Sequence, residues 1–190
     1  MPIAVTPTPL EGVVIIDPTV MEDGRGFFME SWNARDYRQA GIADPFVQDS
    51  HSRSTRTVLR GMHYQDMTAP LTKLVRCTVG RIFDVVVDLR LGSPTFGRWF
   101  SVELSADNRR QIYVPVGYAH GFQTLSDVAE VQYKQSGFYA PSASRVLAWD
   151  DPDVDIAWPL EDHLLSDRDL NGMTLRDYVA QPAFTYTRTG

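Results

Sequence analysis

Short runs rich in Val, Ile, Phe, Tyr and Thr recur along most of this chain, separated by clusters of Gly, Pro, Asp and Asn. Strands that are short and bounded by turn residues are typical of a β-sandwich or barrel. The pattern predicts strands at Gly12 to Ile16, Gly26 to Ser31, Thr57 to Tyr64, Thr72 to Val79, Ile82 to Leu89, Trp99 to Leu104, Gln111 to Val114, Gly121 to Thr124 and Glu130 to Gly137.

Helical signals are few and peripheral. The segment NARDYRQAG at residues 33–41 predicts a short helix that Gly41 can close, and TLRDYVAQ at residues 174–181 predicts another near the carboxyl terminus. No repeat, low-complexity tract or polar linker divides the sequence. We therefore predict one all-β domain over residues 1–190, with a few short helices at its periphery.

Composition narrows the classes of function. The formal charge is -6, and the basic residues are scattered among acidic neighbours, which argues against nucleic acid as the main partner. A single cysteine, Cys77, excludes an internal disulfide framework and fits a reducing compartment. The amino-terminal segment has neither a basic start nor a long apolar run, so neither a signal peptide nor a membrane span is predicted. We expect a cytoplasmic protein.

The strand FDVVVDLR has one apolar and one partly polar face. Phe83, Val85, Val87 and Leu89 alternate with Asp84, Val86, Asp88 and Arg90. A barrel that holds a ligand needs a polar interior, whereas a simple sandwich turns this face to solvent. For Asp88 we expect solvent exposure.

The segment PVGYAHGF at residues 115–122 follows the predicted strand QIYV and resembles the second motif of cupin barrels. In that motif the glycine, here Gly117, permits a sharp turn, and the next strand carries a histidine, here His120, into the barrel. The expected fold is therefore a cupin-like jelly-roll barrel.

Metal binding is one interpretation of the histidines. Alternation places His63 and Gln65 of VLRGMHYQ on the same strand face, and His120 would complete a set of ligands. Glutamine is a poor transition-metal ligand, however, and no glutamate follows at a suitable spacing. A buried neutral imidazole is the simpler interpretation of His63. A convergent site is favoured instead by the polar residues that lie on strand candidates, which include Arg60, Lys73, Asp84, His120 and Tyr133.

Motifs in a fixed order carry a more specific resemblance: DGRGFFMESW, FVQDSHSRS, VLRGMHYQ, KLVRCTVGRIFDVVVDLRLGSPTFGRW, PVGYAHGF, EVQYK, YAP, WDDP, IAWP and LLSDRD. Together they resemble the dTDP-4-dehydrorhamnose 3,5-epimerase family from about Gly12 to Asp169. Members are cupin-like barrels that act on nucleotide-linked 4-keto-6-deoxyhexoses without metal or cofactor. A base removes a proton beside the ketone, and an acid returns one to the opposite face.

The resemblance assigns the catalytic roles. His63 matches the base, and Asp169 matches the carboxylate that hydrogen-bonds it, although Ser166 to Asp169 also fits a helix N-terminal cap. Tyr133 matches the acid, a role that suits a phenol, although a core tyrosine is the alternative. Lys73 matches the cation beside the enolate oxygen, which Asp84 could orient, unless Lys73 is simply solvated.

The resemblance also implies a dTDP-sugar substrate and a homodimer with sites shared between subunits, because the strand carrying Arg25 and Glu30 comes from the neighbouring subunit. Arg60 suits bidentate phosphate contact. The implied substrate-binding residues are Arg25, Phe28, Glu30, Gln48, Ser50, Arg60, His120, Tyr139, Ser144 and Arg168. Phe28 as a core residue and Glu30 as a solvated charge are the alternatives.

Two positions depart from the family. Ser50 replaces an asparagine, and Ser144 replaces a glutamate, at expected contacts to the nucleotide or sugar. Inversion of both carbons 3 and 5 is our first hypothesis, with inversion of carbon 3 alone as the related alternative. A metal-dependent cupin oxygenase or isomerase is the second class of function, and a non-catalytic sugar-nucleotide binding module is the third.

Overall fold

A computed structural model describes residues 1–187. Over these residues the chain forms β1 (Ile3–Pro7), β2 (Val14–Pro18), β3 (Val20–Asp23), β4 (Gly26–Met29), α1 (Ala34–Gln39), β5 (Gln48–Thr55), β6 (Leu59–Gln65), β7 (Lys73–Val79), β8 (Arg81–Asp88), β9 (Arg90–Leu91), β10 (Trp99–Ser105), β11 (Gln111–Val114), β12 (Tyr118–Thr124), β13 (Val128–Gln135), β14 (Ser144–Val146), α2 (Asp167–Leu170), α3 (Leu175–Ala180) and β15 (Phe184–Thr185).

Two antiparallel sheets face each other. A six-stranded sheet has the order β1-β2-β11-β7-β13-β5, and a five-stranded sheet has the order β10-β8-β12-β6-β14. Chain neighbours such as β7 and β8 lie in different sheets, which is the jelly-roll arrangement. The expected all-β, cupin-like fold with short peripheral helices is confirmed.

The core fills the space between the sheets. Val75 and Val131 of the six-stranded sheet pack with Ile82, Val86 and Phe122 of the five-stranded sheet. The outer face of the five-stranded sheet is also buried, because α3 and β15 pack against Val85, Val87 and Leu89. Helix α1 covers part of the other outer face through Tyr37. Apolar residues on both sides of β8 explain why its sequence reads as a nearly continuous hydrophobic run.

The expectation that Asp88 faces solvent is wrong. Its side chain is fully buried, with one carboxylate oxygen accepting hydrogen bonds from Ser93 and Thr95 at 2.7 Å each. The Arg90 guanidinium also donates to this carboxylate and lies between the rings of Tyr118 and Tyr186. A buried carboxylate is tolerated when it is fully hydrogen-bonded, and neighbouring loops supply the donors here.

All nine predicted strands exist, with ends shifted by at most a few residues, and both predicted helices form. The sequence did not predict β1, β3, β5, β9, β14 or β15. Strand β5 has the polar sequence QDSHSRST and lacks the β-branched and aromatic residues that signal a strand. Pairing with β13 over its full length fixes it in the sheet instead.

Glycines in PVGYAHGF allow the strand bearing His120 to start and to pack closely. Gly117 has φ +105°, as expected for a sharp turn, and a Cβ there would meet Arg90 Cγ at 2.6 Å. Gly121 lies so close to β6 that a Cβ would meet the Arg60 carbonyl oxygen at 2.8 Å. Strands β6 and β12 therefore pair closely, with His63 opposite His120.

Among the helices formed by residues 1–187, none has the length and apolar character needed to cross a bilayer.

Candidate active site

A cavity of about 360 Å³ opens between the two sheets. The six-stranded sheet contributes Lys73 from β7 and Tyr133 from β13, and the five-stranded sheet contributes His63 from β6. The residues predicted from the sequence that line this cavity are Gln48, Ser50, His63, Lys73, Tyr133, Tyr139, Ser144 and Arg168. The imidazole of His63 and the phenol of Tyr133 thus share one cavity and reach it from opposite sheets.

His63 and Asp169 form a hydrogen-bonded pair. His63 Nε2 lies 2.6 Å from Asp169 Oδ1, across 106 positions of sequence. Asp169 is also the third residue of α2, where its backbone N–H donates to the Ser166 hydroxyl at 3.2 Å. Asp169 therefore makes both contacts: its backbone N–H bonds the Ser166 hydroxyl at the start of α2, and its carboxylate bonds His63.

The charge state of the pair follows from burial and neighbours. Burial lowers the pKa of the His63 imidazole; the Asp169 carboxylate opposes this shift, and Lys73 and Arg168 add to it. Burial by itself raises the pKa of Asp169, but the hydrogen bonds from His63, the Ser166 hydroxyl and the Gly61 N–H hold this pKa below the usual range. At neutral pH the site therefore contains a neutral imidazole beside a carboxylate.

Lys73 lies in the cavity wall as a partly desolvated cation. Burial lowers its pKa to about 8, although the charge of Asp84 acts in the opposite direction. The carboxylate of Asp84 bonds His120 Nε2 at 2.9 Å, and among residues 1–187 no ion pair within 4.0 Å joins Lys73 to a carboxylate. Asp84 acts on Lys73 through charge and makes its hydrogen bond to His120.

His120 is buried and contributes to a narrow pocket that adjoins the main cavity. His63 and Lys73 line both spaces. Its register partner across the β6–β12 pair is His63, so two histidines, each bonded to a carboxylate, stand side by side.

The mouth of the cavity carries a cation with neutral partners. The Arg168 guanidinium donates to the Tyr139 hydroxyl at 3.2 Å and to the Ser144 hydroxyl at 2.5 Å. No carboxylate within residues 1–187 forms an ion pair with Arg168. Its positive charge is therefore available to an anionic ligand.

Besides His120, four predicted contacts do not line the main cavity, and these four do not line the narrow pocket either. Arg25 is 91% exposed at the tip of the β3–β4 hairpin, and Phe28 on the same hairpin is 60% exposed. Glu30 binds the amino terminus of the chain. Arg60 is exposed, and its guanidinium donates to Ser54 Oγ at 3.0 Å. Within one copy of the chain, these side chains are apart from His63.

The structure gives Gln65 a role different from metal ligation. Its side-chain oxygen accepts from the Ala140 N–H, and its nitrogen donates to the carbonyls of Ala69 and Phe138. The oxygen and the nitrogen of the Gln65 side chain therefore both have backbone hydrogen-bond partners. Among residues 1–187 no group of three or more His, Cys, Asp and Glu side chains is placed to hold a metal ion.

Gln135 is a cavity residue that was not among those predicted. It lines the cavity, and its side-chain oxygen accepts hydrogen bonds from Gln48 at 2.9 Å and Ser50 at 3.0 Å. Strand alternation was the available signal, because Gln135 follows Tyr133 by two positions on β13 and therefore shares its face.

Known proteins are similar to this chain in amino-acid sequence and in the arrangement of the two sheets. The family model for dTDP-4-dehydrorhamnose 3,5-epimerase matches residues 7–177. A dTDP-4-dehydrorhamnose 3,5-epimerase from Pseudomonas aeruginosa is 52% identical over 167 residues, which cover 87% of this chain and 92% of that protein.

Two solved structures are also similar. A dTDP-6-deoxy-D-glucose-3,5-epimerase from Legionella pneumophila, in complex with dTDP-4-keto-L-rhamnose, has a TM-score of 0.94 at 42% identity and covers 98% of this chain and 100% of its own. A 3'-monoepimerase from Streptomyces bikiniensis, in complex with dTDP-quinovose, has a TM-score of 0.88 at 36% identity, with coverage of 94% and 91%. The family match spans both sheets and the paired His63 and Asp169, and by this match the chain belongs to the dTDP-4-dehydrorhamnose 3,5-epimerase family.

Proposed function

We propose that this protein inverts carbons 3 and 5 of dTDP-4-dehydro-6-deoxy-D-glucose and so forms dTDP-4-dehydro-L-rhamnose. The observation that carries the proposal is that His63, which is paired with Asp169, and Tyr133 line one cavity from opposite sheets. An epimerase must remove a proton from one face of the sugar ring and return a proton to the other face. A base and an acid that face each other across a cavity suit this requirement.

In the proposed mechanism His63 is the base. The Nε2–H of its imidazole donates to Asp169, so the lone pair is on Nδ1. The ketone at carbon 4 acidifies the hydrogen on the neighbouring carbon. Transfer of that proton to His63 leaves an enolate, while the Asp169 carboxylate stabilises the imidazolium that forms.

The enolate then needs a cation and an acid. Lys73, in the wall of the same cavity, would stabilise the negative oxygen, since a fixed charge favours the transition state over the neutral ketone. The Tyr133 phenol would donate its proton to the ring carbon from the other face. The configuration inverts, and the His63 proton returns to the tyrosinate through solvent.

The substrate and the reaction are tested together by incubating the protein with dTDP-4-dehydro-6-deoxy-D-glucose in heavy water and following both ring positions by NMR. We expect deuterium at carbons 3 and 5 and formation of the L-rhamno product. Deuterium and inversion at carbon 3 alone would indicate a monoepimerase, like the Streptomyces bikiniensis relative. Absence of exchange at both positions would refute the proposed chemistry.

The pH dependence of kcat/KM should be bell-shaped. His63 acts as a base only when neutral, and its pKa is lowered by burial, so activity should rise with pH and level off below the ordinary histidine pKa of about 6.5. Lys73 acts only when protonated, and its pKa is about 8, so activity should fall as pH rises through that value. Initial rates between pH 5 and pH 10 check both limbs. Lys73→Arg should move the falling limb upward, and an unmoved limb would remove Lys73 from this role.

We propose that Arg168, at the mouth of the cavity, holds the diphosphate of the substrate. Arg168→Gln should raise KM about tenfold, because a charge-assisted hydrogen bond contributes about 1.5–3 kcal/mol, part of which water replaces at an exposed site. The difference in KM between Arg168→Gln and the wild type should become smaller at high salt, because salt screens the charge of Arg168. Arg176→Gln is a matched control, since Arg176 is exposed but pairs with Asp153. Equal KM values for the two variants would contradict the Arg168 assignment.

We also propose a homodimer in which each cavity is completed by the partner. The β3–β4 hairpin joins neither large sheet and exposes Met21, Phe27 and Phe28. In residues 1–187, β5 ends its sheet and has one free edge beside Gln48 and Ser50. A hairpin from a second copy that pairs with this edge would bring Arg25, Phe28 and Glu30 to the nucleotide.

Complementation tests the shared site. Co-expressed subunits carrying His63→Asn and Arg25→Gln should regain activity that each homodimer lacks, because one cavity of the mixed dimer is then intact. A single-chain site would show no such recovery.

The proposal includes a cytoplasmic location, with which the buried free thiol of Cys77 is compatible.

A further inference from the structure

The segment after β13 reaches the cavity without being part of a sheet. Residues 136–143, called the Tyr139 segment below, follow β13. The side chain of Tyr139 lines the cavity and is 51% exposed. The preceding Phe138 is 72% exposed, so little apolar burial holds this segment in place. A segment with so little buried apolar surface depends on its hydrogen bonds for a fixed position.

Two glutamine side chains bond residues 138–140, while the Ser136 N–H and the Ala143 carbonyl fix the ends of the segment through Thr72 and Asp66. Gln48 on β5 accepts from the Tyr139 N–H at 3.0 Å. Gln65 on β6 accepts from the Ala140 N–H at 2.7 Å and donates to the Phe138 carbonyl at 3.3 Å. The two glutamines lie in different sheets, so residues 138–140 bridge the opening between the sheets.

Gln65 also binds a second segment. Its amide nitrogen donates to the Ala69 carbonyl at 2.7 Å, in the connection from β6 to β7 that leads to Lys73. The residue is only 7% exposed, and its three partners are all backbone groups. A buried amide with these bonds is costly to replace, because its backbone partners would be left without hydrogen bonds.

Gln65 lies close to His63 on the same strand, so its hydrogen bonds connect the Tyr139 segment to the strand that carries the base. The two residues are separated by one position on β6 and face the same cavity. Strand geometry fixes that spacing at roughly 7 Å. The Tyr139 segment is thus attached to the same rigid strand as the base, and Arg168, the neighbour of Asp169, reaches the Tyr139 hydroxyl.

We propose that Gln65 is a positioning residue that fixes the Tyr139 segment at the mouth of the cavity and so sets the distance between the nucleotide part of the substrate and the His63 base. The identity of that substrate rests on the function proposed above. Gln65 does not touch the reacting atoms. Its loss should therefore weaken substrate holding much more than it slows the chemical step at saturation.

The chain contains a matched control, Gln123 on β12. It is fully buried, donates to the carbonyls of Leu160 at 3.1 Å and Asp162 at 3.4 Å, and accepts from the Leu160 N–H at 3.1 Å. Gln123 therefore makes the same three kinds of bond to a loop backbone as Gln65. It does not line the cavity. A general effect of removing a buried amide should appear equally in both positions.

The experiment compares Gln65→Met with Gln123→Met by three measurements: thermal stability, steady-state kinetics and amide hydrogen exchange. Both variants should melt at lower temperature. Gln65→Met should raise KM at least about tenfold, which corresponds to about 1.4 kcal/mol of binding free energy, and leave kcat within about threefold. Gln123→Met should leave KM unchanged. The Ala140 amide should lose protection from exchange only in Gln65→Met.

Two results would overturn the proposal: wild-type protection of the Ala140 amide in Gln65→Met, or a KM in Gln65→Met that does not exceed that of Gln123→Met. If Gln65→Met does not fold, Gln65→Glu keeps the acceptor for Ala140 but cannot donate when ionised, so it should raise KM by a smaller factor. Amide exchange needs no turnover, and neither does the dissociation constant of dTDP, which should rise in Gln65→Met and stay unchanged in Gln123→Met. They test Gln65 even if the wild-type protein does not epimerise the keto sugar.

Discussion

Replacing His63 with Asn should lower kcat by about 10⁴-fold, the upper end of the range for loss of a general base, and should abolish deuterium incorporation at both carbons. Asparagine keeps a polar side chain of similar size but cannot take a proton from carbon at neutral pH. One base serves both positions in the proposed mechanism, so both exchanges should disappear together. NMR of the substrate in heavy water measures this directly.

The control for this variant is His163→Asn. His163 packs against Trp149, lies outside β5 and does not line the main cavity, so its replacement should leave turnover unchanged. The dissociation constant of dTDP should also stay close to wild type in His63→Asn, since the nucleotide is expected to bind through other side chains. Exchange at the wild-type rate in His63→Asn would show that another group is the base.

Replacing Tyr133 with Phe should reduce epimerisation by about 10²-fold to 10³-fold, within the range for loss of a general acid. Phenylalanine retains the ring, which packs against the core between the sheets, so the fold should persist. Without the phenol the enolate still forms at His63, and deuterium exchange at carbon 3 should continue without completed inversion. The ratio of exchange to inversion, read by NMR, separates the acid from the base.

Tyr113→Phe provides the comparison for Tyr133→Phe. Tyr113 lies on β11, where its hydroxyl donates to Asp44 at 2.7 Å, so this substitution removes one hydroxyl from the same sheet outside the cavity. Turnover in Tyr113→Phe should match the wild type. If Tyr133→Phe also turned over at the wild-type rate, the proton donor would have to be sought elsewhere in the cavity.

Local pattern was sufficient for most strands and for the faces of the catalytic strands. Alternation on β6 places His63 and Gln65 on one face, and the glycine in PVGYAHGF produces the expected turn before His120. These features depend on neighbours a few positions apart, which a sequence displays directly. Strand β5 was missed because its eight residues are mostly polar, and its pairing partner β13 lies far along the chain.

Contacts between residues that are far apart in the sequence could not be predicted from local sequence patterns. The carboxylates show this most clearly: Asp88 was expected in solvent but is buried under Arg90, Ser93 and Thr95, and Asp84 bonds His120 instead of Lys73. Each outcome depends on which loop or strand covers the carboxylate after the sheets close. Family resemblance supplied the pairing of His63 with Asp169, which spacing in the chain could not have provided.

The all-β class, the turns, the strand that carries His63 and the family could all be predicted from the sequence, because they follow from residue type and short-range order. Only the folded structure shows that His63 and Tyr133 line one cavity, that Gln65 bonds the Tyr139 segment and that Arg25 and Phe28 lie outside the cavity of their own chain. Such contacts form when two sheets stack, and the stacking is set by the burial of apolar faces summed over the whole domain.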